Sequence, residues 1–555
     1  MKKMISGRAA FLQLLVDEGV THLFGNPGTT ELPIMEVVPD FPQLRYVLGL
    51  QESVVVAMAD GFARASGKLG AANVHVAPGL GHAMGALYNA KFAGSPLILT
   101  AGQQEQGHGL LEPLLYAPLP PIAQPLVKWA VDVTRAEDLP RIIHRAAKIA
   151  LTPPTGPVFL SLPGDVLDTE SEIDLGAPVR IDARTRPSDE AIDRLAQRLL
   201  AAERPVIIAG HELAMHDAFG EAGELALALG AAVVQEPTPY SARFLTGHPT
   251  FMGTLTRVQK HVRTTLEPYD LVVCLGADLL RMSVYSPVEP LPDGMPVVHI
   301  SERDGELGKN YRTEIALLAN VKETLRALLP RLRALGAPAY RAAAESRVVR
   351  LKAGNWSAQR DKTAVAALME ADTAPIDPRY LMLRITDSLP ANAVVVEEAL
   401  TSAASLPAFM HQRDRQSYFG LSSGGLGFGV PGAVGVSLAL PGRPIAAIIG
   451  DGSAMYGIQG LWTAAHLKLP ITYIITNNRS YRILKEHMVS MRGGASFPGM
   501  DLRDPEIDYA GLARSLGIEA RRITRPADLP DALREALASG APRLLDVVVQ
   551  DGFGG

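Results

Sequence analysis

Short, mostly apolar runs alternate with amphipathic segments along most of the chain. Examples of these runs are THLFG (21–25), AANVHVAP (71–78), SPLILTAG (95–102), GPVFLSLP (156–163), RPVIIAG (204–210) and PIAAII (444–449). Runs of this length are typical of strands buried on both faces, and the segments between them have helical spacing. The pattern therefore predicts an α/β fold with parallel sheets.

Two stretches without this pattern divide the chain. Residues 164–187 are polar and aperiodic and are interpreted as a linker, and the strand pattern fades again over residues 336–374. Other predicted strands lie near residues 231–235, 270–275, 296–300, 393–397, 471–476 and 543–549. We therefore predict three doubly wound parallel-sheet α/β domains, with boundaries at 1–175, 188–336 and 374–555.

The composition excludes some classes of partner. The 555 residues carry 53 Lys and Arg against 58 Asp and Glu, a net charge of −5, without a basic block, so nucleic acid is not expected to bind. The apolar run LALALGAAVV (225–234) is shorter than the roughly 18–20 residues that span a bilayer. Ser6 and Gly19 delimit an amphipathic N-terminal helix rather than a signal peptide. We expect a cytoplasmic protein without a membrane partner.

The segment IIGDGSAMYGIQG (448–460) places an aspartate between two glycines at the end of a predicted strand. A crossover helix is expected over residues 456–470, and the next strand closes on the asparagines of TNNRS (476–480). Parallel strands joined in this way put Asp451 and Asn478 at the same carboxyl edge, where open α/β sheets bind ligands. Carboxylate and amide oxygens suit Mg²⁺, so the sequence predicts a magnesium site.

A second interpretation of Asp451 is as the ribose-binding acid of a dinucleotide site. GFGVPG (427–432) fits the pattern G-x-G-x-x-G, and Asp451 follows its first glycine by 24 residues. However, that fingerprint directly follows a hydrophobic strand, whereas YFGLSSGGL precedes it here. An NAD-dependent oxidoreductase is therefore kept as the alternative from another class.

The Asp451-Gly452 turn followed by Asn477-Asn478 resembles the metal–diphosphate motif of thiamine diphosphate enzymes. LQESVVVAMADGFARASGK (50–68) is similar to the helix that opens the pyrimidine-binding domain of that family. FGNPGTTELP (24–33) and SSGGLGFGVPGAVG (422–435) resemble the benzoylformate decarboxylases. The chain is thus identified as a member of the thiamine diphosphate-dependent 2-oxo acid decarboxylases and carboligases.

The resemblance implies a pyrimidine-binding first domain, a Rossmann-like middle domain and a diphosphate-binding third domain. It also implies thiamine diphosphate and Mg²⁺ as cofactors, a 2-oxo acid substrate and an aldehyde acceptor for carboligation. Because the cofactor of the family lies between the first domain of one subunit and the third domain of another, a homodimer or homotetramer is expected.

The same resemblance implies four catalytic residues. Glu52 matches the carboxylate that hydrogen-bonds the aminopyrimidine, and its apolar helix predicts that it is largely buried. His75, in NVHVAPG, matches an active-site histidine, a residue type suited to proton transfer near neutral pH. Thr29 occupies the position of a serine and keeps its hydroxyl, and His82 stands in place of an asparagine as a second histidine candidate.

The other expected site residues fall into three groups. Asp451, Asn478 and the backbone carbonyl of Ser480 are the implied metal ligands. Leu426 matches the bulky apolar residue that holds the two cofactor rings in a bent arrangement. The remaining implied cofactor-binding residues are Asn26, Pro27, Gly28, Thr401, Gly425, Gly450, Gly452, Ser453 and Tyr481.

Three positions are expected to face the substrate, and two of them depart from the benzoylformate decarboxylases. Ser283, in LLRMSVYSP (279–287), stands where that family has its second catalytic histidine. Arg482 replaces a small residue, and either enters the pocket or forms a surface salt bridge; Leu484 follows it on the same helix. An acetolactate synthase-like carboligase is the alternative within the family, and FAD in the middle domain is expected only in that case.

Overall fold

The apolar runs form buried strands in a computed structural model of the protein, which describes residues 2–238, 240–494 and 496–553. The strands assemble into three six-stranded sheets in which all pairs of neighbouring strands are parallel. Each sheet contains strands from one predicted domain and is flanked by helices. The predicted fold class, three α/β domains with parallel sheets, is confirmed.

The first domain begins with a capped helix. Its strands are β1 (Lys3–Ser6), β2 (His22–Gly25), β3 (Arg45–Leu48), β4 (Gly70–Val74), β5 (Leu97–Gln103), β6 (Ala130–Asp132), β7 (Val158–Pro163) and β8 (Glu170–Ile173). Its helices are α1 (Gly7–Asp17), α2 (Leu32–Val37), α3 (Glu52–Ser66), α4 (Val76–Ala93), α5 (Gln106–Gly109), α6 (Leu119–Ala123), α7 (Leu139–Leu151) and α8 (Gly164–Asp168). The sheet order is β3-β2-β4-β5-β7-β6. As predicted, Ser6 caps α1, accepting a hydrogen bond from the Ala9 backbone N–H.

The middle domain repeats the alternation of strands and helices. Its strands are β9 (Pro205–Ala209), β10 (Ala232–Gln235), β11 (Phe251–Thr254), β12 (Leu271–Leu275), β13 (Val297–Ser301) and β14 (Ile315–Leu318), in the order β11-β10-β9-β12-β13-β14. Its helices are α9 (Asp189–Leu200), α10 (Glu212–Met215), α11 (Phe219–Leu229), α12 (Gln259–Leu266) and α13 (Val321–Leu335). Two further helices, α14 (Pro338–Ala353) and α15 (Trp356–Leu368), lead to the third domain.

The third domain carries the aspartate–asparagine segment. Its strands are β15 (Val394–Glu398), β16 (Tyr418–Gly420), β17 (Ile445–Gly450), β18 (Ile471–Asn477), β19 (Glu519–Ile523) and β20 (Arg543–Val548), in the order β16-β15-β17-β18-β20-β19. Its helices are α16 (Pro378–Ser388), α17 (Leu406–Phe409), α18 (Gly429–Ala439), α19 (Asp451–Ala454), α20 (Gly460–His466), α21 (Arg482–Arg492), α22 (Tyr509–Ser515) and α23 (Leu529–Ala538). β17 and β18 are parallel neighbours, so Asp451 and Asn478 follow adjacent strands at one edge, as predicted.

The structure corrects three local predictions. Part of the expected linker 164–187 is ordered, because α8 is followed by β8, which pairs antiparallel with β1. The expected strand 71–78 ends at Val74, since α4 starts two residues later. The crossover expected over 456–470 contains the short helix α20, and a separate helix, α19, starts at Asp451 itself. The three sheets lie inside the predicted domain boundaries, which remain a prediction.

The first and third domains meet where α3 crosses α18. An ideal Cβ atom on Gly435 would overlap the backbone carbonyl of Met58, and one on Gly61 would overlap the carbonyl of Gly432. Glycines on both helices therefore allow the two backbones to touch. The apolar cluster around this crossing includes Val56 and Val434 and continues into both sheets.

None of the described helices is both long and apolar enough to cross a membrane.

We expect Gly435→Ala to destabilise the protein by roughly 1–3 kcal/mol, because the new methyl group forces α18 away from α3. Thermal unfolding followed by circular dichroism measures the effect. Gly220→Ala is the control, since a Cβ on Gly220 in α11 would meet nothing within 4 Å. An unchanged unfolding temperature for Gly435→Ala would contradict the close contact.

Candidate active site

A buried carboxylate that the sequence analysis missed organises the carboxyl edge of the first sheet. Glu31, which is fully buried, follows β2 and contacts four polar groups. Its Oε1 accepts from the Gly102 backbone N–H at 2.9 Å and from the Thr30 hydroxyl at 2.9 Å. Its Oε2 accepts from the Gly28 backbone N–H at 2.9 Å and lies 2.8 Å from Nδ1 of His75. Glu31 therefore joins the loop after β2, the residue after β4 and the end of β5.

His75 is oriented by this carboxylate. It is the residue before α4, and its ring packs against Gly28, where an added Cβ would overlap the ring. Because Oε2 of Glu31 can only accept, Nδ1 of His75 carries a proton. Among the described residues, no group bonds Nε2 of His75, and the side chain is 22% exposed. Nε2 is thus the nitrogen left for a ligand.

The neighbouring loop places the remaining candidates of the first domain. Asn26 and Pro27 follow β2 directly, with Pro27 exposed. The side chain beside His75 belongs to Thr30, whose hydroxyl lies 3.1 Å from Nδ1, whereas Thr29 is exposed. Thr30 was not among the expected site residues, and the role of Thr29 stays a prediction.

Glu52 is the first residue of α3 and is nearly buried, as its apolar surroundings predicted. The preceding residue, Gln51, caps the helix by accepting from the backbone N–H groups of Ser53 and Val54. Oε2 of Glu52 lies 3.1 Å from Nδ1 of His82, whose side chain is 60% exposed. His82 therefore contacts Glu52, and the sequence had not indicated this pair.

A second group of polar residues lies at the carboxyl edge of the third sheet. Asp451 is 3% exposed, and its two carboxylate oxygens accept from the backbone N–H groups of Gly452 at 2.8 Å and Arg479 at 2.6 Å. Oδ1 of Asn478 accepts from the Ser480 backbone N–H at 3.0 Å. Burial raises the pKa of Asp451 to about 6, against the effect of these backbone hydrogen bonds. A cation beside this carboxylate would favour its charged form.

Residues distant in sequence hold this edge in place. The Tyr509 hydroxyl donates to the carbonyl of Asp451 at 2.8 Å. The Ser480 hydroxyl donates to Asp551 at 2.6 Å, and the buried ammonium group of Lys485 donates to both Asp551 at 2.9 Å and Asp501 at 2.7 Å. The sequence analysis did not find Tyr509 or Lys485.

Four of the implied cofactor-binding residues lie around Asp451. Gly450 ends β17, and Gly452 and Ser453 form the first turn of α19 together with Asp451. The Tyr481 ring packs against Gly452 so closely that an added Cβ there would lie 2.6 Å from the ring. A side chain at position 452 is therefore excluded.

The loop that carries Leu426 is fixed by another buried carboxylate. Glu398, at the end of β15, accepts from the backbone N–H groups of Gly427 at 2.6 Å and of Gly429. Leu426 is half-buried against the core, and Gly425 lies near the carbonyl of Gly85 on α4. A dinucleotide fingerprint requires its glycines to follow a strand directly. Here the loop separates β16 from α18, so the glycines do not meet this requirement. Thr401 is half-buried in the turn after β15.

The three expected substrate residues lie on two elements, the loop after β12 and helix α21. Ser283 is exposed in the long loop after β12. Arg482 donates to Glu486 at 2.8 Å and to the carbonyl of Gln550 at 3.4 Å, which corresponds to the salt-bridge alternative. Leu484, on α21, is 47% exposed.

Family models match all three domains. The N-terminal binding domain of the thiamine pyrophosphate enzymes matches residues 5–112, the central domain 192–328 and the C-terminal binding domain 401–547. The chain belongs to the thiamine pyrophosphate enzymes.

Relatives of this family align with nearly the whole chain. Benzoylformate decarboxylase of Pseudomonas aeruginosa is 34% identical over 98% of this chain and 98% of its own. Acetolactate synthase isozyme 3 large subunit of Escherichia coli is 26% identical over 96% and 92%. The matches confirm the predicted enzyme class, a thiamine diphosphate-dependent carbon–carbon lyase.

Solved structures of benzoylformate-type decarboxylases have the same fold as this chain. A thiamine diphosphate-dependent 4-hydroxybenzoylformate decarboxylase of Rhodococcus jostii has a TM-score of 0.84 and 33% identity, covering 98% of this chain and 99% of its own. Benzoylformate decarboxylase of Polynucleobacter necessarius has a TM-score of 0.86 and 28% identity, covering 99% of both chains.

The described residues fit the cofactor of this family. Asp451, Asn478 and the carbonyl of Ser480 are hard oxygen donors of the kind that a divalent cation prefers. The buried Asp451 carboxylate, whose pKa is raised by desolvation, has no cationic side chain bonded to it among the described residues, so a metal ion would compensate its charge. Glu52 is a nearly buried carboxylate, which would suit a hydrogen bond to a pyrimidine nitrogen.

We expect Glu31→Gln to lower both stability and turnover. All four groups around the carboxylate can donate, so the amide NH₂ would face a donor, at a cost of roughly 1–3 kcal/mol. Turnover should fall roughly tenfold or more, mainly in kcat, because Nδ1 of His75 loses its acceptor.

The control for this variant is Glu36→Gln, because Glu36 is 67% exposed and lies 3.5 Å from Arg8 at the surface. Steady-state kinetics and thermal unfolding of both variants make the comparison. A Glu31→Gln protein that is less stable but has normal kcat would show that Glu31 has a purely structural role.

Proposed function

We propose that the protein decarboxylates a 2-oxo acid without oxidation, using thiamine diphosphate and Mg²⁺, and that it also ligates the product to an aldehyde. The observation that carries this proposal is the arrangement of carboxylates at two sheet edges: Glu52 and Glu31 on the first sheet and Asp451 on the third. The names of the most similar relatives, which act on benzoylformate and 4-hydroxybenzoylformate, support an aromatic 2-oxo acid as the substrate.

Each group of residues would act on a different part of the cofactor or the substrate. Thiamine diphosphate, when bound, supplies a nucleophilic carbon and an electron sink for the loss of CO₂. Glu52 would hydrogen-bond the pyrimidine, and Asp451, Asn478 and Ser480 would hold Mg²⁺ against the diphosphate. Nε2 of His75 would move a proton at the substrate oxygen.

The proposed proton-transfer groups differ from the two catalytic histidines expected in the benzoylformate decarboxylases. Ser283 has no group that titrates near neutral pH, so it cannot replace a histidine in proton transfer. The candidate histidines that remain are His75 and His82, both in the first domain. His82 contacts Glu52 directly, which supports a role in holding that carboxylate. With Ser283 in place of a histidine, slower proton delivery to the carbon that loses CO₂ would give an acceptor aldehyde more time to react at that carbon, which favours carboligation. A cytoplasmic location remains a prediction.

The acetolactate synthase-like alternative is less well supported. Relatives named acetolactate synthase are 26–28% identical to this chain, whereas benzoylformate decarboxylase of Pseudomonas aeruginosa is 34% identical. Decarboxylation is therefore proposed as the main reaction and carboligation as a further capability.

We further propose that two copies of the chain complete each site. Among the described residues, no hydrogen bond or ion pair joins the Glu31–Glu52 group to the Asp451–Ser480 group. Loops and helices beyond these edges also expose large apolar side chains, which indicates an interface. The exposed side chains are Leu50, Leu110, Leu111, Leu114, Met455, Tyr456 and Leu484.

Turnover of a panel of 2-oxo acids tests the reaction. With thiamine diphosphate and Mg²⁺, benzoylformate or a ring-substituted analogue should release CO₂ and an aldehyde. Arg482 bonds Glu486 rather than facing the substrate in this structure, so Arg482→Ala should leave the ranking of substrates unchanged. Release of CO₂ from pyruvate alone, with acetolactate as the product, would instead support the alternative.

Glu52→Gln and Asp451→Ala test the shared site together. The first variant should bind thiamine diphosphate but turn over roughly 10²-fold more slowly, because an amide cannot replace the carboxylate. The second should lose affinity for the cofactor, because the metal loses its charged ligand.

Co-expression of the two inactive chains should then restore about one quarter of the wild-type activity. Half of randomly formed dimers are mixed, and each mixed dimer has one site with both residues intact. If activity stays at the level of the single variants, the site lies within one chain.

A further inference from the structure

The loop that carries two of the implied metal ligands is not fixed by the sheet alone. This loop, residues 478–481, connects β18 to α21 and includes Asn478 and Ser480. Arg479, between them, has a φ of 57°, in the left-handed region that few residues other than glycine adopt. A backbone of this kind is maintained when the surrounding structure fixes it. The position of the Ser480 carbonyl therefore depends on the contacts of this loop.

Residues 500–502 lie along one side of the loop. The Tyr481 backbone N–H donates to the carbonyl of Met500, and the Leu502 N–H donates to the carbonyl of Arg479, both at 2.8 Å. These two bonds pair the segments in an antiparallel arrangement and satisfy backbone groups on that side of the loop.

Segment 549–553, which follows β20, contacts the loop through one carboxylate. The side chain of Asp551 is 8% exposed, and its Oδ1 accepts from the Ser480 hydroxyl at 2.6 Å. Its Oδ2 accepts from the ammonium group of Lys485 at 2.9 Å and from Arg503 at 3.1 Å. Hydrogen bonds to ionised groups are stronger than those between neutral groups. Asp551 therefore joins the Ser480 side chain to two cations.

Segment 549–553 is itself held on both sides of Asp551. The Val549 backbone N–H donates to the carbonyl of Asn477 at 3.0 Å, which keeps the segment beside the end of β18. The ring of Phe553 packs edge to face against Phe497, with 5.3 Å between the ring centroids. The carboxylate that reaches Ser480 therefore has a fixed position.

We propose that Asp551 is a positioning residue for the metal: by accepting from the Ser480 hydroxyl, it holds the Ser480 carbonyl where Mg²⁺ binds. The proposal rests on the proposed function, in which that carbonyl is a metal ligand. Among the described residues, Asp551 bonds neither Asp451 nor Asn478, so its effect passes through Ser480. Groups that orient metal ligands in this way contribute strongly to metal affinity.

Asp551→Asn tests this role. The amide has one oxygen, so it cannot accept from Ser480 and from both cations. In protein saturated with thiamine diphosphate, we expect its affinity for Mg²⁺ to fall about tenfold or more, measured by calorimetric titration. At saturating Mg²⁺, kcat should stay within about twofold of the wild type, because the metal restores the position of its ligand.

Ser480→Ala tests the route through the hydroxyl. It keeps the backbone carbonyl but removes the group that Asp551 bonds, so Mg²⁺ affinity should fall by a similar factor. The double variant Asp551→Asn/Ser480→Ala should bind Mg²⁺ no more weakly than Asp551→Asn, because both changes break the same bond. Losses that multiply in the double variant would show that Asp551 acts on the metal by its charge.

Asp501→Asn is the matched control. Asp501 is the other carboxylate bonded by Lys485, at 2.7 Å, and its side chain is 47% exposed. The variant removes the same charge and leaves the bond between Asp551 and Ser480 intact. Its Mg²⁺ affinity should therefore stay within about twofold of the wild type.

Three results would overturn the proposal: wild-type Mg²⁺ affinity in Asp551→Asn, an equal loss in Asp501→Asn, and multiplied losses in the double variant. Thermal unfolding without metal checks that each variant folds. If Asp551→Asn does not fold, unchanged Mg²⁺ affinity in Ser480→Ala overturns the proposal by itself. Failure of the proposed function is distinguishable, because the wild type would then not bind thiamine diphosphate with Mg²⁺.

Discussion

The close crossing of α3 and α18 is the constraint on which the rest of the site depends. Gly61 and Gly435 let the two backbones touch, so the first and third sheets have a fixed relation. Glu52 lies at the first residue of α3, and the loop of Leu426 leads directly into α18. A change at the crossing would therefore move a catalytic candidate and the cofactor-binding loop together.

Buried carboxylates hold the loops of both sheets, and their surroundings differ. Glu31 accepts from the backbone N–H groups of Gly28, in the loop after β2, and Gly102, in β5. Glu398 also accepts from backbone N–H groups, but its burial raises its pKa to about 7. A carboxyl group whose pKa rises on folding binds its proton more tightly in the folded state. Protonated Glu398 thus adds to the free energy of unfolding at low pH. This contribution declines as the pH rises from 4.5, the ordinary pKa of a glutamate side chain, to about 7. The Leu426 loop is held at the cost of some stability at neutral pH.

The sequence predicted those features that depend on local pattern. The strands, the Ser6 cap, the burial of Glu52 and the adjacency of Asp451 and Asn478 all follow from apolar runs and strand–helix–strand order. It did not predict Glu31 or Glu398 as organising residues, because their partners lie far away in sequence. Gly102, for example, is 71 residues from Glu31, and Gly427 is 29 residues from Glu398.

The middle domain has a physical role even without a residue in either polar group. Its β9–α10 turn and its Tyr240–Ser241 segment lie beside the end of α3 and, together with it, line a cavity of about 190 Å³. α3 has 15 residues, a length of about 22 Å, so one rigid element carries Glu52 at its start and borders the cavity at its end. The glycine contacts leave this helix no room to shift against α18, and Arg64, near its end, donates to the carbonyls of Tyr240 and Gly420. Because Tyr240 belongs to the middle domain and Gly420 to the third, the position of Glu52 at the start of α3 depends on the packing of all three domains.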